Sequence, residues 1–257
     1  MRPDAGIQGS AIDDPATWDP LNVIVARNEP DLGVALIKHQ TYVVALKQWT
    51  TQAFYNAGNA TGSPLARVDG FMSWYGCRSR LSVAEIDGMH FWVSTNRKAG
   101  AQLIKLENLE VSIVSTPVVD RILTHFSNGA IAFTMKVGGH SFYILRLSTF
   151  SLVYDISQKL WYRWTSAAGT GPWPFVDSTN GSFGVTVLQH ESDSKEYTCE
   201  TDFAQPTDDG ALIPVDIYTG NFDFGTDRSK TLNMLYFDAD IVTGSKLQVR
   251  NSDDDYK

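Results

Sequence analysis

A repeat of about 50 residues constrains this chain more than any other feature, because periods of that length belong to arrays of small stacked units. VALIKHQTYVVAL from Val34, SVAEIDGMHFWVS from Ser82 and IAFTMKVGGHSFYIL from Ile131 share one plan. Each has an apolar run, a short polar or glycine turn, and an apolar return. Tyr42 lies 49 positions before Phe91, which lies 51 before Phe142; further out, Leu103 lies 49 before Leu152 and Val111 lies 50 before Trp161. The inner and outer hairpins therefore keep step. In GVTVLQHESDSKEYTCET a weaker fourth copy places a turn near Ser192-Asp193-Ser194 and a return strand through Tyr197.

A lone four-stranded sheet leaves two half-apolar faces, and stacking such sheets buries both. The expectation is an all-β, propeller-like array of four-stranded antiparallel blades. Asp87-Gly88 and Gly138-Gly139 suit the tight hairpin turns that need positive φ. A β-sandwich with accidental spacing is the alternative. One segment breaks the strand pattern: STPVVDRILTHF offers Ser115 or Thr116 as N-cap, Pro117 in the first turn, and Val118, Val119, Ile122, Leu123 and Phe126 at helical spacing. It predicts one short helix packed on the sheets. The expected division is an extended segment over 1–20, blades over 21–205, and further strands over 206–257 that finish a last blade or begin a sandwich. The chain breaks off directly after a strand-like alternation, so a piece of a longer protein is expected.

At 257 residues, 43% apolar and 12% aromatic, the chain can supply a large core. Its formal net charge of -8 lacks the basic footprint that tight binding to phosphate backbones requires. No apolar run approaches the roughly 18 residues of a membrane span. Cys77 and Cys199 stand far apart, without the paired spacing of a zinc site or a disulfide scaffold.

Chemistry-bearing residues are present without a pattern. His39, His90, His125, His140 and His190 are scattered, three of them near turns, and read as exposed or turn-capping histidines. Asp31, Glu85, Asp87, Asp120, Asp155, Glu196 and Asp216 are abundant carboxylates with no implied geometry, and Asp155 sits where an Asx turn would use its side chain. Gly169, Gly171 and Pro172 read as a blade-to-blade loop rather than a phosphate cradle. Ser252-Asp253-Asp254-Asp255 resembles the start of the aspartate-box turn of sialidase blades. No catalytic, cofactor-binding or metal-ligating residue is assigned.

The serial order of GSAIDDPATWDPL, QWTTQAFYNAGN, TGSPLARVDGFMSWYGCRSRLSVAEIDGMHFWVS, LENLEVSIVSTPVVDRIL, GGHSFYILRL with LVYDISQKLWYRW, and VRNSDDDYK resembles the tail-nozzle proteins of short-tailed bacteriophages, also called packaged-DNA stabilisation proteins. The resemblance runs from about Gly9 to Tyr256. It implies a β-propeller with associated β-domains, several copies of which form a ring below the portal and its adaptor and close the channel through which the genome leaves. It further implies a structural virion protein of the phage tail, made in the host cytoplasm, with no enzymatic role and no cofactor. The partners it implies are other copies of the chain, portal-adaptor and tail-tip proteins, and DNA that passes without specific binding. Members of that family are longer, with an additional N-terminal region.

Two readings of other classes compete. A sialidase-like glycan hydrolase needs a cluster of arginines, for which Arg67, Arg78, Arg80, Arg121 and Arg146 are available, but no arginine is followed by the apolar-proline pair expected near such a site. A carbohydrate-binding propeller would stack sugars on exposed aromatics such as Trp49, Trp74 or Trp173.

Overall fold

The computed structural model describes residues 6–199 apart from 12–13, 28, 60, 98–99, 126–128, 167–168, 181–185 and 194, and beyond them 207–208, 211–212, 215–217, 225, 231, 234, 236, 238 and 246–250. By its contacts the chain divides into Met1–Thr201 and Asp202–Lys257.

The first unit opens with the antiparallel pair β1 (Gly6–Gln8) and β2 (Val23–Val25). The first blade follows, in the order β3 (Gly33–His39), β4 (Tyr42–Lys47), β5 (Thr51–Asn56) and β6 (Leu65–Ser73). A 3-10 turn (Arg80–Ser82) leads into the second blade, β7 (Ala84–Ile86), β8 (Met89–Asn96), β9 (Gly100–Glu107) and β10 (Glu110–Ile113). Helix α1 (Pro117–His125) then precedes the third blade, β11 (Ile131–Val137), β12 (His140–Arg146), β13 (Ser151–Asp155) and β14 (Leu160–Trp164). The fourth blade has three described strands, β15 (Phe175–Asn180), β16 (Thr186–His190) and β17 (Glu196–Cys199). Every pairing among the described residues is antiparallel, and the first unit forms the expected all-β blade array.

Three blades start with the same two-residue hairpin, closed by the pairs His39 with Tyr42, Ile86 with Met89, and Val137 with His140. Asp87 and Gly88 both have positive φ (53° and 73°), as do Gly138 and Gly139 (58° and 81°), the conformation that lets a two-residue turn match strand twist. These turns correct the inner register. Val44, not Tyr42, is equivalent to Phe91 and Phe142, since each stands two places after its closing pair. A slip of two residues leaves every side chain on its own face, which is why the repeat was visible despite it. The outer register shifts by one residue. Val93 pairs with Leu103 and Ile144 with Val153, so Leu103 corresponds to Val153 rather than to Leu152.

Alternation along the return strands builds the seams. Trp92 packs with Val44, Leu46, Ile104 and Leu106 between the first two blades. Its neighbours Phe91 and Val93 point the other way, toward Tyr143, Leu145, Leu152 and Tyr154 of the third blade. Phe142, Ile144 and Val153 meet Phe175 and Leu188 of the fourth. Full burial of one such large side chain contributes on the order of 1.5–3 kcal/mol, so the seams carry the stability of the array. The outer face of the first blade is covered too, since Ile7, Ile24 and Ala26 pack on Ala45 and Phe54.

The fourth copy forms its hairpin, with Leu188 opposite Tyr197, but it joins the second and third strands of the blade and not the first and second. Tyr197 therefore lies one strand further out than the repeat suggested, and β16, with Leu188 in the seam, is the return strand.

The helix lies where its pattern placed it. Thr116 is the cap, its Oγ1 accepting from the Val119 N–H at 3.4 Å. Val119 and Leu123 are buried against the seam of the second and third blades, while Val118 is exposed, so the apolar stripe is narrower than the sequence suggested. Phe126 lies outside the described residues. In the second unit, β18 (Thr207–Asp208) pairs with β19 (Ala211–Leu212). The expected long strands after Pro206 fall mostly outside the described residues.

Candidate functional site

Polar chemistry in this molecule collects at the seams. The segment Tyr75–Arg78 threads between the first two blades and is hydrogen-bonded to both. Cys77 N–H donates to Lys47 O at 2.7 Å, Thr51 Oγ1 donates to Tyr75 O at 2.7 Å, and Arg78 N–H donates to Val93 O at 2.9 Å. Trp92 Nε1–H donates to Gly76 O at 2.9 Å, satisfying an indole that is wholly buried. Gly76 is required there by close approach, since a Cβ would stand 2.3 Å from Gln48 O. Tyr143 OH reaches across the next seam to Ser82 O at 2.7 Å, and burial pushes its phenol well above the ordinary range. Thr134 Oγ1 donates to Glu85 O at 2.8 Å, and Ser178 Oγ donates to Thr134 O one blade further on.

A buried ion pair anchors the leading segment. Lys47 and Asp31 have side chains 0% and 1% exposed and are in direct contact. Lys47 Nζ also donates to the carbonyls of Ala26 and Glu29 at 3.1 and 2.7 Å. Asp31 accepts from the N–H groups of Trp49 and Thr50 at 2.8 and 3.0 Å and from the Thr50 hydroxyl. Each charge thus has several partners, which is the condition for a buried pair to persist.

The second buried polar group was not legible in the sequence. His39, at the end of β3, and His90, near the start of β8, are 1% and 4% exposed, with their Nδ1 atoms 3.3 Å apart across the seam. They are neither exposed nor turn-capping, because stacking the blades buries both hairpin ends. Glu85 Oε2 faces His90 Nε2 at 3.4 Å. Desolvation holds both imidazoles below the ordinary histidine value, with Glu85 opposing the shift. Two imidazoles do not make a metal centre, and no group of three or more His, Cys, Asp or Glu suited to one occurs among the described residues.

The remaining candidates serve turns and seams. His125 pairs through Nδ1 with Arg121 O at 2.7 Å, His140 with Asp155 Oδ2 at 2.7 Å, and His190 with Asp193 Oδ1 at 3.1 Å. Asp155 Oδ1 accepts from the N–H groups of Ser157 and Gln158 at 2.8 and 3.0 Å, the Asx turn its position suggested. Asp87 binds Lys136 and Ser141 of the third blade; Asp120 binds Ser115 and Gln102; Glu196 is exposed on β17 and Asp216 is exposed in the second unit.

The arginines are distributed. Arg67 lies on β6, Arg80 in the 3-10 turn and Arg121 on α1. Arg78 donates to Leu123 O at 3.0 Å, in the last turn of α1 where a cation complements the helix dipole. Arg146 binds Glu191 and Trp173 O.

Of the tryptophans, Trp173 is held by Trp164, Phe175 and Phe133, and Trp49 carries the Arg97 guanidinium 6.0 Å from its ring; Trp74 is 56% exposed. Gly169 and Gly171 both have positive φ in the loop joining the third and fourth blades. Cys77 is buried, its thiol pushed up to about 12, and Cys199 is half-buried. Ser252–Asp255 lies outside the described residues.

The phage-stabilisation family model, described as Bacteriophage P22 Gp10, beta-propeller, matches residues 6–194. No curated protein matches the chain.

Proposed function

This chain belongs to the phage packaged-DNA stabilisation family of β-propeller virion proteins, and on that premise we propose that it forms part of the nozzle ring that closes the DNA exit channel and retains the packaged genome. The family match over residues 6–194 is the observation that carries the reading. The architecture supports it physically. Continuous apolar seams and cross-seam hydrogen bonds make the blade array stiff, and a plug that resists outward pressure needs stiffness more than a cleft. In this proposal the chain acts through protein interfaces, with copies of itself and with the portal adaptor above and the tail tip below. The net charge of -8 suits a conduit wall, because acidic surfaces repel phosphate and let DNA pass without being held.

The test is genetic and biochemical. Particles assembled without the chain are expected to package DNA and then lose it, and supplying the chain in trans is expected to restore retention. Heads that keep their genome in its absence would overturn the proposal.

A further inference from the structure

The seam between the first and second blades contains two buried imidazoles whose surroundings favour one proton arrangement while both are neutral. Glu85 can only accept, so its carboxylate, 3.4 Å from His90 Nε2, draws the imidazole proton of His90 to that nitrogen. His90 Nδ1 is then a bare lone pair and takes the Nδ1–H of His39 at 3.3 Å. His39 Nε2 is left unprotonated, which agrees with its burial without a hydrogen-bond partner. An unpartnered lone pair there already costs free energy, but a further proton would add a buried charge and a donor with no acceptor, which costs more.

We propose that His39 and His90 form an acid-sensitive joint that holds the first two blades together while both rings are neutral and loosens the seam when a further proton arrives. Only two nitrogens can take that proton. On His90 Nδ1 it sets two N–H groups face to face; on His39 Nε2 it creates a buried donor with no acceptor. Either form is relieved by parting the blades at this end.

Of the charged groups on the packed strands, Glu85 on β7 is coupled to both rings and favours their protonation, but desolvation outweighs it. On β9, Lys105 and Glu107 pair with each other, and Lys136 on β11 pairs with Asp87 at the β7–β8 turn. Lys38 on β3 is exposed, and Tyr42, opposite His39 on β4, is half-buried. Beside the rings, Gln40 bonds Asn108 across the seam at 3.0 Å. The deeper contact of Trp92 with Gly76 contains no group that titrates in this range, so loosening is confined to the hairpin ends.

The sign follows from linkage. Both rings are held below the unfolded value of 6.5, so near and below that pH the unfolded or opened form binds more protons. The contribution of the joint is complete above pH 6.5, falls as pH drops through it, and levels off once pH passes below the folded values.

The experiment is a pH titration of the intact chain from 8 to 5, reading histidine side-chain 15N shifts and backbone amide exchange corrected for intrinsic rates. The expected result is an Nδ1–H tautomer for His39 and an Nε2–H tautomer for His90. Both should half-protonate below 6.5, with at least tenfold faster exchange in β3–β4 and β7–β8 at pH 5 than at pH 7 and no matching change in β12–β13. The His39→Asn/His90→Gln double variant is expected to lose that acid response. Two Nε2–H tautomers, ordinary titration of both rings, seam exchange that does not change with pH, or an undiminished response in the variant would each overturn the proposal. If the variant does not fold, the titration of the unaltered chain decides alone.

Discussion

Replacing Lys47 by methionine is the most informative single perturbation of this fold, because it separates burial from charge. Methionine keeps the unbranched stem and roughly the volume, so little packing is lost. Its sulfur cannot donate, however. The carbonyls of Ala26 and Glu29 lose a donor, and Asp31, 1% exposed, is left charged without a countercharge. Removing one partner of a buried pair costs about 3–5 kcal/mol, a large share of the roughly 5–15 kcal/mol that stabilises a whole domain. The bonds Asp31 keeps to Trp49 N–H, Thr50 N–H and the Thr50 hydroxyl place the cost toward the lower end. Urea unfolding followed by tryptophan fluorescence would measure it, as a lowered midpoint at unchanged slope. The Lys47→Met/Asp31→Asn double variant should cost less than the sum of the two single replacements, because it leaves no unpaired buried charge. A loss below about 1 kcal/mol for Lys47→Met, the size expected of an exposed pair, would refute the reasoning.

Three further outcomes are expected. Gly76→Ala forces a methyl to within 2.3 Å of the Gln48 carbonyl and should destabilise by at least the ~1–3 kcal/mol typical of overpacking, checked by the same unfolding assay; a neutral result would mean that the segment is not wedged between the blades. Tyr143→Phe removes the hydroxyl that satisfies Ser82 O, and calorimetry should show a loss of about 1–3 kcal/mol with the blade array intact. Cys77, its thiol held up at about 12 by burial, should resist alkylation at pH 8 in the folded chain and react once urea unfolds it, as counted by mass spectrometry.

The candidate site was far less legible in the sequence than the blades were. His39 and His90 are 51 residues apart, close to one repeat, yet they occupy unlike places, one ending an inner strand and the other near the start of a return strand. A repeat aligns like with like, so it cannot announce such a meeting. Lys47 and Asp31 give no signal either, since a lysine ending a strand is ordinarily read as solvated. Asp155 was readable because its partners, Ser157 and Gln158, are its own neighbours in the chain.

What the sequence alone determined was local and periodic. Alternation assigned Phe91 and Trp92 to opposite faces, glycine and aspartate marked the hairpin turns, and a threonine-proline step started the one helix among the described residues. These follow from backbone geometry within a few residues, so they are written in consecutive positions. Only the tertiary structure decided which faces met, how the repeats were registered to within two residues, and which ionisable groups were removed from water. Those outcomes depend on side chains tens of positions apart sharing one dry seam, where the cost of an unpaired charge or donor is set by the neighbours that stacking supplies.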